Sequence, residues 1–188
     1  MYVPLYSKYI AMIYYTTPYN LEKNIGAYYN DFMRLLPAEA WACFIDGDAR
    51  FTTNNFGHQL QDIINANPIC NLFTAVTNRV GTKYQCVQGM WDVNDANLHR
   101  KKGLELQQFY KTSCIDITNM PPLSGVLILL KKSMWADCGG FLENKMVGID
   151  DSIHYRVRNF GGCIMLMKGV YIEHYYLGGN SANKQHLL

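Results

Sequence analysis

Asp46 and Asp48 close the apolar run Trp41–Ile45, with only Gly47 between them. Two carboxylates at that spacing, where a buried strand runs into a loop, can hold a hard divalent cation, Mg or Mn. The cation keeps positions open for a diphosphate. In open α/β sheets, ligands collect at the carboxyl edge of the strands. An isolated Asp-x-Asp is also a common solvated turn, so its meaning depends on Ser124, Gly125, Asp150, Asp151 and His174 downstream. Asp150 and Asp151 precede an amphipathic stretch, where aspartates cap helices; Asp151 can cap while Asp150 points into a cleft. His174 reads either as a metal ligand or as a strand histidine. Arg79 and Lys83 flank a loop, where they can meet phosphate or acceptor or face solvent. Trp91, in Gly89-Met90-Trp91-Asp92, is a loop indole that can stack on a sugar; the other Trp and Met residues read as core.

These groups need elements to position them. The aromatic run 9–15, ended by Thr16-Thr17-Pro18, reads as a buried strand entering a loop. After it, Ile25, Tyr28, Tyr29, Phe32, Met33 and Leu36 fall on one face of a helix that Pro37 ends, and Trp41–Ile45 is the next strand. Strand, helix and strand with short connections predict a parallel βαβ unit. A helix over Phe56–Ala66 and a strand over 71–76 follow. A half-exposed helix spans 95–111, and a strand spans 125–131. A helix over 151–160 stops at Gly161-Gly162, ahead of strands over 163–168 and 170–174.

At 188 residues the chain fits one α/β domain with a sizeable core, residues 1–177, followed by a Gly/Asn/Ser-rich tail over 178–188 expected to be mobile. Lys184 and His186 in that tail are candidates to fold over a diphosphate. A formal charge of +2 without a basic block argues against a nucleic-acid partner. The six cysteines form no Cys-x-x-Cys unit, so zinc is not expected. Several lie in apolar strands, which predicts a reducing compartment and no disulfide framework. No apolar stretch is long enough to span a bilayer, and the amino terminus has no signal-peptide pattern. The expectation is a cytoplasmic protein.

From Met120 onward the order of motifs resembles that of family 2 glycosyltransferases. Leu123-Ser124-Gly125 precedes an apolar strand, then come Lys132-Ser133-Met134-Trp135, Gly139-Gly140-Phe141, Asp150-Asp151 with Arg156, and a strand ending at His174. The Asp-x-Asp stands ahead of this half, as in that family. The resemblance covers roughly residues 9–176. It implies a GT-A, Rossmann-like fold with a mostly parallel sheet flanked by helices. It also implies a metal-dependent inverting transfer from a UDP- or GDP-type nucleotide sugar to a hydroxyl of a glycan, lipid-linked glycan or protein. In its terms Asp48 ligates the metal, Asp46 meets the donor ribose or the metal through water, and His174 adds a late metal or diphosphate contact. Asp150 is the general base, and Asp151 takes part of the role of the usual Glu-Asp pair. Ser124 and Gly125 line the sugar pocket, with Trp91 as an acceptor platform. Thr17, Asn24, Asp46, Gly47 and Arg79 are the expected donor-binding residues, and Arg156 is expected to brace the loop carrying Asp150.

This chain departs from the pattern in lacking a strand–helix–strand segment before the Asp-x-Asp, and in having Ile149 ahead of Asp150. The shortened donor pocket leaves room for a second copy or partner subunit to complete it. Two other readings stand beside transfer. One is a metal-dependent nucleotidyltransferase or diphosphate hydrolase. The other is a non-catalytic carbohydrate-binding or complex-forming module on a degenerate glycosyltransferase frame.

Overall fold

The computed structural model describes residues 12–19, 21–143 and 147–175. In chain order the elements are β1 (Ile13–Thr16), α1 (Ile25–Leu35), β2 (Trp41–Ile45), β3 (Ala49–Phe51), α2 (Phe56–Ala66) and β4 (Leu72–Thr77). They continue with α3 (Ala96–Tyr110), β5 (Cys114–Asp116), β6 (Leu127–Lys131), α4 (Lys132–Asp137), α5 (Ile149–Asn159) and β7 (Ile164–His174). Residues 9–11 of the first expected strand, and the 178–188 tail with Lys184 and His186, lie outside the described residues.

Seven strands form one sheet in the order β1-β2-β6-β4-β7-β3, with β5 pairing β7 off that path. Both faces of the central strands are apolar, as a sheet covered by helices on two sides requires. Ala42, Phe44, Ile128 and Leu130 face α1, α4 and α5, packing with Tyr29, Met33, Met134 and Ile153. Trp41, Cys43, Leu127 and Leu129 face the other way, onto Leu60, Ile63 and Ile64 of α2. The Asn24 carboxamide accepts from Ala27 N at 3.1 Å and starts α1. Pro37 holds Leu36 extended and ends it.

The sheet is mixed rather than mostly parallel, which corrects the sequence expectation. β1–β2 and β4–β7 are parallel, whereas β6 runs antiparallel to both β2 and β4. The chain from β5 crosses to the carboxyl edge before entering β6, so β6 must descend between its neighbours. That reversal brings the start of β6 beside the end of β2: Ile45 pairs with Leu127, and Asp46 N donates to Val126 O at 3.2 Å.

β7 is one strand where two were expected. Its register against β4 slips between Ala75 and Val76, whose partners are Met167 and Tyr171. Gly169 sits in the resulting bulge, where a Cβ would fall 2.4 Å from Lys111 O. At the opposite, amino-terminal edge the structure joins Cys70 to Cys163, with Cα atoms 4.7 Å apart. The expectation of no disulfide is corrected there, because parallel pairing of β4 and β7 sets two sequence-distant cysteines side by side. Cys43, Cys86, Cys114 and Cys138 carry free thiols. Among the described residues no helix is long and apolar enough to cross a membrane.

Candidate metal centre and its cleft

The apolar strand β2 delivers Asp46 to the carboxyl edge. The chain turns there at once, with Ala49 N donating to Asp46 O at 3.1 Å, and β3 returns antiparallel to the end of β7. Ala49 pairs with His174, and Tyr175 N donates to Asp48 O at 2.9 Å. Backbone pairing thus places the acidic turn against the last residue of β7. His174 Nε2 lies 3.2 Å from Asp48 Oδ1 and 3.9 Å from Asp46 Oδ2, and one ligand atom from each residue falls within 4.8 Å of the others.

The imidazole is aimed by its other nitrogen. His174 Nδ1 lies 2.7 Å from Arg79 O, and a carbonyl can only accept, so Nδ1 carries the proton. In the neutral ring Nε2 then offers its lone pair to the carboxylate side, the arrangement metal-bound histidines use. Asn78 fixes the histidine backbone from both sides, donating to His174 O at 3.1 Å and accepting from His174 N at 2.7 Å.

Electrostatics mark the cluster as short of positive charge. Burial, with Asp48 and Asp150 nearby, pushes the Asp46 carboxyl up to about 6 although His174 pulls it down. Burial pulls His174 down, but the hydrogen bond to Asp48, the Arg79 carbonyl and both carboxylate charges outweigh it, leaving a net upward shift. Two carboxylates and one imidazole are the donors a Mg or Mn ion takes, with open positions left for oxygen ligands. The residues present therefore fit the expected cation.

Asp46 also lines a cleft of about 330 Å³ together with Asp150. Pro18, Ile25, Tyr29, Gly125, Ile128 and residues 147–149 complete its lining. Asp150 Oδ2 accepts from Gly125 N at 2.9 Å. A Cβ on Gly125 would fall 3.1 Å from Asp150 Cβ, so this close approach uses the glycine. Burial raises the Asp150 carboxyl above the usual range, with the Gly125 amide offsetting part of that shift.

The other expected site residues divide. Asp151 is exposed in the first turn of α5, and Gly148, at φ 76°, occupies the cap position that Asp151 was expected to fill. The helix begins two residues earlier than predicted, so both aspartates complement its amino-terminal dipole. The Ser124 hydroxyl points to Thr82, donating to Thr82 Oγ1 at 2.9 Å. Thr17 packs its methyl beside Gly47, and the Asn24 side chain caps α1. The Arg79 guanidinium is spent on protein acceptors: it donates to Trp91 O, to Val93 O at 2.8 Å and to Tyr175 O at 3.2 Å. Trp91 is half-buried on that braced loop and does not line the cleft. Arg156 braces a different turn from the one expected, donating to Gly139 O at 2.7 Å and Gly140 O at 2.9 Å. It helps line a second cleft of about 510 Å³, with Asn30, Arg34, Trp135 and Glu143, that shares no lining residue with the first.

Sequence reasoning missed Asn78 as the bracket of His174, the Arg79 carbonyl as its acceptor, and Gln85 and His154 beside Ser124 and Gly125. Single amides and a lone histidine carry no spacing signal. Compared with protein-family models and with curated protein sequences, the chain matches none.

Proposed function

We propose that this protein is a metal-dependent inverting glycosyltransferase on a shortened GT-A frame, moving a sugar from a nucleotide-sugar donor to a hydroxyl acceptor. One observation carries the reading: Asp46 belongs both to the Asp46, Asp48 and His174 cluster and to the lining of the cleft that holds Asp150. Donor diphosphate and acceptor hydroxyl then meet within one cleft.

Asp46, Asp48 and His174 would hold the cation, which supplies Lewis-acid stabilisation of the charge growing on the leaving diphosphate. The acceptor oxygen forms its bond to the anomeric carbon as the bond from that carbon to the diphosphate oxygen breaks. Asp150 takes the hydroxyl proton as attack proceeds, a contribution of about 10²–10⁴-fold. Its carboxyl is half-buried and already held on one oxygen by Gly125 N, so it is oriented before substrate arrives. A single displacement inverts the anomeric centre and needs no covalent intermediate.

The test separates the two ends of the cleft. Asp48→Ala is expected to abolish Mn-dependent binding of nucleoside diphosphate. Asp150→Asn is expected to keep that binding and lose transfer. Equal loss of binding in both variants would show that the roles are wrongly assigned. Nucleoside diphosphate binding that ignores Mn would favour the non-catalytic module.

A further inference from the structure

Residues 121–125 lead into β6 and bring Gly125 to the cleft, yet side chains hold their backbone. From one side, Tyr84 Oη donates to Pro121 O at 2.9 Å and Thr82 Oγ1 to Pro122 O at 3.1 Å. From α5, His154 Nδ1 accepts from Leu123 N at 3.4 Å and Asp150 Oδ2 accepts from Gly125 N at 2.9 Å. Between them Gln85 straddles Ser124: Oε1 accepts from Ser124 N at 2.7 Å, and Nε2 donates to Ser124 O at 3.3 Å. Three successive N–H groups thus go to three side chains, where a neighbouring strand would ordinarily take them. Gln85 is itself immobilised. It is fully buried, and its Nε2 also lies 3.1 Å from Thr74 Oγ1 and 3.2 Å from Ala75 O.

The same loop starts with Asn78 and Arg79, which bracket and orient His174. Residues 78–85 therefore touch the metal cluster at one end and, through Ser124 and Gly125, Asp150 at the other.

The geometry points to Gln85 as a positioning residue for the reaction. It sets the peptide joining Ser124 to Gly125 against Asp150, and so fixes the separation of the base from the Asp46, Asp48 and His174 cluster. His154 is the second clamp. This inference rests on the reading of Asp150 as base. A misplacement of about 1 Å at such a site costs on the order of 10²-fold in rate, so a buried glutamine that never meets substrate still controls turnover.

The full chain with Gln85→Met, near in size and unable to make these bonds, is compared with Gln85→Glu, which keeps an oxygen for Ser124 N. Amide exchange by NMR, Mn binding, and kcat and donor KM are read for each. For Gln85→Met, exchange at Ser124 and Gly125 is expected to quicken, with kcat down roughly tenfold or more while Mn affinity and donor KM hold. Gln85→Glu is expected to recover part of both losses. Unchanged exchange at Ser124 and Gly125, or Mn affinity falling in step with kcat, would overturn the inference. If Gln85→Met does not fold, amide exchange of the wild-type protein decides: the Ser124 amide, bonded to a buried side chain, is expected to be protected as a strand amide is, and exchange there at the rate of an exposed loop amide overturns the inference. A wild-type protein that transfers no sugar defeats the proposed function alone, because the exchange and Mn measurements still decide what Gln85 holds.

Discussion

Asp150 has two opposed demands on its proton, and both are measurable. Burial raises its carboxyl above the unfolded value, so the folded state favours the protonated form. That contribution to stability is complete below the unfolded value, about 4, and is lost as pH rises through the folded value. The proposed role as base needs the ionised form and runs the other way. Activity is expected to rise with pH along an acid limb displaced upward from the ordinary carboxylate range. In Asp150→Asn, the accompanying change of melting temperature with pH is expected to flatten. Gly125→Ala is a second probe, because its Cβ would fall 3.1 Å from Asp150 Cβ. It is expected to lower kcat by about tenfold or more and to leave Mn binding, measured by calorimetry, unchanged. At this scale the sequence displayed the candidate ligands Asp46, Asp48 and His174 and the proposed base Asp150, since acidic residues at strand and helix ends have a spacing to read. It did not display Gln85, Asn78 or the Arg79 carbonyl, whose roles exist only through contacts between distant segments.

Among the elements, β2, α1 and α2 were legible because their apolar spacing is regular and their ends carry Asn, Pro or a change of period. β3 and β5, three residues each, are too short to show a period, and α4 begins on Lys131 and Lys132 with no capping side chain. The early start of α5 at Ile149 was hidden because Gly148 reads as a loop residue when its φ is unknown. Helix docking gives a prediction of its own. A Cβ on Gly26 of α1 would fall 1.9 Å from Leu142 O, which is backbone and cannot swing aside. Gly26→Ala is expected to destabilise the fold by about 1–3 kcal/mol, as overpacking does, read as a lower denaturant midpoint at constant slope. The Leu142 segment would shift with it, moving the wall of the second cleft.

For the molecule as a whole, the sheet separates a cross-link from the candidate site. The Cys70–Cys163 bridge ties the amino-terminal ends of β4 and β7, whereas Asp46, Asp48, His174 and Gly125 gather at the carboxyl edge. The bridge spans 93 residues of sequence, and loop entropy of that size corresponds to about 4–5 kcal/mol. Reduction, or Cys70→Ser with Cys163→Ser, is expected to lower the melting temperature markedly while Mn affinity stays within a factor of about two. The antiparallel insertion of β6 was not legible in the sequence, because strand direction depends on which edge a long connection reaches. It is also what brings Gly125 and Asp150 to the end of β2, so the shared cleft depends on it. The central claim is sugar transfer within that cleft, tested most directly by incubating the protein with a panel of nucleotide sugars, Mn and hydroxyl acceptors and identifying the nucleotide released. Sugar transfer predicts intact nucleoside diphosphate, released only with Mn and an acceptor present and absent with Asp150→Asn. Release of nucleoside monophosphate or inorganic phosphate, or an unaltered yield from Asp150→Asn, would contradict it.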